Sequence, residues 1–126
     1  MNIEKIKKLH NLALENQIGF EEYSKESLSA GLDRVYFDLS GRKHVFYSTE
    51  NSFETVLPTQ IEYSVASKYS ESRLKDAIRA FDSKEISWPK LISEVAASGI
   101  CLAYCFIKEN KAMYISTDGN FYLEHW

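Results

Sequence analysis

The chain has 126 residues and a formal net charge of −3, the length of one ordinary domain. Its 44% apolar and 26% charged composition is that of a globular protein, and the acidic balance without a clustered basic face argues against a dedicated nucleic-acid binder. No apolar run approaches the roughly 20 residues of a membrane helix, no apolar signal region opens the chain, and two cysteines are too few for a disulfide scaffold. The expected setting is cytoplasmic, with neither membrane nor nucleic acid as partner.

Ile3, Ile6, Leu9 and Ala13 recur at helical spacing and predict a helix over Ile3–Glu15. His10 falls on its inner stripe as a hydrogen-bonded residue at the edge of the core. A second helix is expected over Phe20–Ala30, with Phe20, Tyr23, Ser27 and Leu28 turned inward. Gly31 follows, between a small residue and Leu32, which is the pattern of a left-handed glycine at a helix end. Strands are expected over Arg34–Leu39, His44–Thr49 and Ser52–Leu57, the first two joined by a three-residue turn, Gly41-Arg42-Lys43. Gln60–Val65 reads as a connecting strand.

The same order then recurs at a shift of 68 (Gly99 minus Gly31). Ser70 caps a helix over Glu71–Ser83. Ser87 and Pro89 open a second helix carrying Trp88, Leu91, Ile92, Val95 and Ala96, and Gly99 ends it. Strands follow over Leu102–Ile107, Ala112–Thr117 and Asn120–His125. Ile18-Gly19-Phe20 falls on Ile86-Ser87-Trp88, Tyr36 on Tyr104, and Phe53 on Phe121. The expected fold is therefore α+β: a tandem duplication of an ααβββ unit, with antiparallel strands, helices on one face and pseudo-twofold symmetry. Residues 1–126 form a single domain of two repeats, 2–57 and 70–125, joined by 58–69.

Strand side chains alternate between faces. A symmetric first hairpin puts Val35, Phe37, Leu39, Val45 and Tyr47 against the helices, and the second half places Ala103, Cys105, Ile107, Met113 and Ile115 likewise. The opposite face then carries Arg34, Tyr36, Asp38, His44 and Phe46 in the first repeat, and Leu102, Tyr104, Phe106 and Tyr114 in the second. The first set is a candidate ligand-binding surface and the second a candidate oligomer interface, here of a homodimer. The ordinary reading of the first set is a solvated face with cross-strand charge pairs. Three scattered histidines and two cysteines give no metal spacing, and no phosphate loop or nucleophile motif points to a cofactor. The expected function is a ligand- or partner-binding or regulatory module, using that face of the first repeat or the groove between repeats. The alternatives are an assembly protein acting through its apolar sheet face, and an enzyme using Asp38 and His44 as acid and base.

Gly31-Leu32-Asp33-Arg34, the strand Val45-Phe46-Tyr47, Ser98-Gly99-Ile100 followed by Met113-Tyr114, and the late Glu124 carry a further signal. On these residues the chain resembles a small bacterial family of unknown function typified by YbcV, often labelled "phage envelope protein". The similarity spans nearly the whole chain. The family often ends Glu-x-Ile-Pro where this chain has Glu124-His125-Trp126, and Phe106 stands where an acidic residue is common. The resemblance implies no activity, substrate or catalytic residue.

Overall fold

Asn2 opens helix α1 (Ile3–Leu14) by accepting the Lys5 amide on its side-chain oxygen at 3.1 Å, in a computed structural model that describes all of residues 1–126. Helix α2 (Phe20–Ser29) ends at Gly31, whose φ of +93° lets its amide donate to Leu28 O while the Leu32 amide reaches Ser27 O. Helix α3 (Glu71–Asp82) is capped by Ser70, and α4 (Trp88–Ala97) by Ser87, with Pro89 in the first turn. Gly99 repeats the helix end at φ +96°. A Cβ there would lie 2.5 Å from the carbonyl oxygen of Lys68, so this position excludes a side chain by contact as well as by conformation. Leu32 and Ile100, the residues after the two glycines, are both fully buried. In α2 the buried residues are Tyr23 and Ser27, while Leu28, expected on the inner stripe, is exposed.

Six strands form one antiparallel sheet: β1 (Arg34–Asp38), β2 (Lys43–Tyr47), β3 (Ser52–Val56), β4 (Ile100–Phe106), β5 (Lys111–Ser116) and β6 (Phe121–His125). Their order is β3-β2-β1-β4-β5-β6. The central pair, β1 and β4, joins the two halves of the chain and sets Tyr36 opposite Tyr104. The four helices cover one face, and the core lies between them and the sheet, from Ile6, Leu9 and Phe46 to Leu74, Ile92 and Ile100. No helix is long and apolar enough to cross a membrane.

Three expectations need correction. The first hairpin has a four-residue loop, Leu39 to Arg42, and pairs Val35 with Phe46 and Phe37 with His44. Arg42, not Gly41, takes the left-handed position at φ +55°. The odd residues of β1 therefore share a face with the even residues of β2, because one residue of register inverts every side chain. His44 and Phe46 turn to the helices and are fully buried, and Val45 and Tyr47 turn away. The second hairpin behaves alike through a 3₁₀ turn (Ile107–Glu109) and left-handed Asn110, pairing Phe106 with Lys111. Tyr114 therefore faces the helices, while Met113 and Ile115 do not.

The third strands stand 69 apart, not 68. Phe53 pairs with Phe46 and Tyr122 with Tyr114, so Phe53 corresponds to Tyr122 (122 minus 53), not to Phe121. Asp118-Gly119 adds one residue to the turn before β6. Finally, Gln60–Val65 is not a strand. Its segment is pinned along the end of the sheet instead. The Arg42 guanidinium donates to Pro58 O (3.0 Å) and Ile61 O (2.7 Å), and the Tyr63 hydroxyl donates to Leu39 O (2.7 Å).

Candidate functional site

The inverted register divides the residues predicted as one ligand surface. Arg34, Tyr36 and Asp38 lie on the open face, half-buried, with Arg34 4.6 Å over the Tyr47 ring and Tyr36 4.8 Å from Tyr104. Asp38 closes its own turn by accepting the Gly41 amide at 2.8 Å. His44 and Phe46 are on the other side of the sheet, so Asp38 and His44 cannot act on one substrate atom. Of the predicted oligomer surface, Leu102, Tyr104 and Phe106 lie on the open face and Tyr114 does not.

His44 meets His10 instead. Its Nδ1 lies 2.9 Å from His10 Nε2, in a ring cage of Phe37, Phe46 and Trp88. The outer nitrogens, His10 Nδ1 and His44 Nε2, are buried without partners. Two neutral imidazoles joined by one hydrogen bond always leave one N–H and one lone pair over. Burial pushes the His10 pKa down to about 4, and burial with the neighbouring His10 pushes His44 well down too. This is a neutral pair sealed in the core, closed on one side by Trp88 from the second half.

The second half has Ile78 and Ala112 at the positions 68 further on. Here the sheet floor is built from small side chains, Ala103, Cys105 and Ala112, where β1 and β2 carry Val35, Phe37 and His44. Between this floor and helices α2, α3 and α4 lies a cavity of about 200 Å³. Eighteen of its 20 lining residues are apolar or aromatic, among them Phe20, Phe81, Trp88 and Trp126. Trp126 packs edge-on to Phe20 at 5.5 Å and is 43% exposed, which places it on the rim.

The remaining two lining residues are Asp82 and Glu124. Asp82 ends α3 one turn beyond Ile78 and is itself exposed, so it stands at the open side of the cavity. Glu124 projects inward from β6 opposite Ala112, alternating with the outward Leu123 and His125. The Tyr114 hydroxyl donates to Glu124 Oε1 at 2.8 Å. Burial raises the Glu124 pKa, the Tyr114 hydrogen bond opposes this, and the Asp82 charge adds to the rise. Partial burial raises the exposed Asp82 as well, while deeper burial lifts Tyr114 well above the ordinary tyrosine range and pushes the Cys105 thiol up to about 12. On the α2 wall, the buried Tyr23 hydroxyl faces the Ser27 hydroxyl one turn along the helix.

Sequence reasoning offered the groove between repeats as a location but named no residue of this cavity as ligand-binding. Glu124 stood out only through the family resemblance, and Asp82 not at all. The available signal was a carboxylate in each of two otherwise apolar stretches, combined with three small residues on neighbouring strands, Ala103 and Cys105 on β4 and Ala112 on β5. Compared with known protein families and with curated proteins, the chain matches no family model and no curated sequence.

Proposed function

We propose that this chain is a binding module whose ligand is a small, largely apolar molecule held in the cavity between α2–α4 and the second half of the sheet. One observation carries the reading: an apolar space of about 200 Å³ whose only charged lining groups are Asp82 and Glu124. Apolar cavities of about 150 Å³ remain dry and accept one-ring hydrocarbons. A few convergent polar groups in an apolar pocket are the usual mark of a ligand site, and Asp82 and Glu124 are such groups here. This reading locates the site between the repeats, with Phe20, Tyr23, Val35, Phe37 and Leu39 from the first and the remaining walls from the second, rather than on the first half's open face. A tandem duplication with a pseudo-twofold axis is part of the same proposal. It is supported by the repeated ααβββ order and by the Tyr36–Tyr104 pairing at the centre of the sheet. The two inner faces would then have diverged, one filled by histidines and the other left hollow.

Both tryptophans of the chain, Trp88 and Trp126, line the cavity, so intrinsic fluorescence reports directly on its occupancy. Titration with single-ring aromatic compounds should change this emission saturably and raise the melting temperature. Ala112→Leu, which fills the floor, should abolish both effects while leaving the circular dichroism spectrum intact. Binding that survives this substitution would refute the location.

A second reading, assembly of two copies through the open sheet face, is favoured by Phe121 at 67% and Leu123 at 41% exposure on the same face as Leu102 and Tyr104, across β5. Light scattering over a dilution series tests it, and a strict monomer removes it.

A further inference from the structure

The cavity has two acidic residues in its lining and no basic one. Neither Asp82 nor Glu124 belongs to any of the ion pairs of the chain. Tyr114 occupies Glu124 Oε1, which leaves Oε2 free to accept. A carboxylate drawn into an apolar wall is costly unless it is paired and hydrogen-bonded. A second carboxylate close enough to raise its pKa increases that cost. An anionic ligand would meet two like charges. A pure hydrocarbon would strip the remaining water from Glu124 and give nothing in return. An ammonium group supplies both the opposite charge and the donors.

We infer that the ligand of this cavity is a small organic amine, its aryl or alkyl body among the apolar walls and its ammonium group between Glu124 and Asp82. The inference rests on the reading of the cavity as a ligand site and names the ligand's class. The volume limits the body to about one ring with a short chain.

The test is a matched series on the full chain: phenethylamine, 2-phenylethanol and 3-phenylpropionic acid, each followed by tryptophan fluorescence at pH 7. The amine should bind about tenfold more tightly than the alcohol, the gain of a charge-assisted contact at a partly buried carboxylate, and the acid should bind least. The doubly substituted Glu124→Gln, Asp82→Asn chain keeps an acceptor for the Tyr114 hydroxyl. It should lose the preference for the amine while binding the alcohol as before. If alcohol and amine bind equally to the unsubstituted chain, or if the preference survives the double substitution, the amine assignment is overturned and the cavity remains a ligand site. If none of the three binds up to about 10 mM, the weak end of specific affinity, both the cavity reading and the assignment fall.

Discussion

Lowering the pH from 7 to 5.5 should destabilise the protein through the His10–His44 pair. In the folded chain both rings are held neutral, His10 with its pKa pushed down to about 4 and His44 lowered well below its ordinary value. In the unfolded chain both titrate near 6.5. Below that value the unfolded state binds protons that the native state refuses, so stability falls as pH falls. For one histidine the loss between pH 7 and 5.5 works out at about 1.2 kcal/mol, and for two at about 2.5 kcal/mol. The decline should continue toward the native pKa, at about pH 4 for His10. Most carboxylates titrate below this window, and the raised Glu124 and Asp82 act in the opposite sense. Urea unfolding at intervals of half a pH unit measures the slope, and the midpoint should drop by roughly 1–2 M. His10→Ile places there the residue found at position 78 and should halve the slope. A flat profile for the natural chain over this range, or an unchanged slope in His10→Ile, would show that the pair is not held neutral.

Gly99→Ala should cost more than about 2 kcal/mol, since the left-handed conformation alone costs roughly 1–2 kcal/mol and the new Cβ meets the Lys68 carbonyl. Gly31→Ala, where the nearest atom is Met1 Cα at 3.0 Å, should cost less; equal losses in urea titration would contradict the contact argument. Tyr114→Phe removes the hydrogen bond that lowers Glu124, so the Glu124 carboxyl should titrate higher by carbon-detected NMR, with about 1–2 kcal/mol of stability lost. Arg34→Ala and Tyr36→Ala lie across the sheet from the cavity and should leave ligand-induced fluorescence changes intact. A loss of binding in either would restore the open face as the site.

The helices were legible because their ends are chemically marked. Ser70 and Ser87 accept amides at two starts, and Gly31 and Gly99 turn left-handed at two stops, so the observed bounds fall within a residue of those expected; the Asn2 cap of α1 went unread, and apolar spacing alone marked that start. The strands were legible as apolar runs between turns, but their faces were not. Arg42 takes a conformation that the sequence would assign to the adjacent Gly41, and that single choice sends His44 and Phe46 inward. The cavity was hidden for a different reason. Ala103, Cys105 and Ala112 look like ordinary core residues one at a time. A hollow appears only when strand pairing places them together beneath Ile78, Phe81 and Leu91.

The central position of β1 and β4 also bears on how the chain reaches its native state. β1 forms only half of its ladder with its neighbour in sequence, and the other half waits for residues 100–106. A ribosome-bound chain that has emerged only as far as the segment after β3 therefore presents a bare strand edge beside Tyr36 and Phe37, a template for pairing with other nascent chains. The closing contact spans more than half of the polypeptide, so it should dominate the folding rate, and productive synthesis in crowded cells should depend on shielding that edge until translation of the second half is complete.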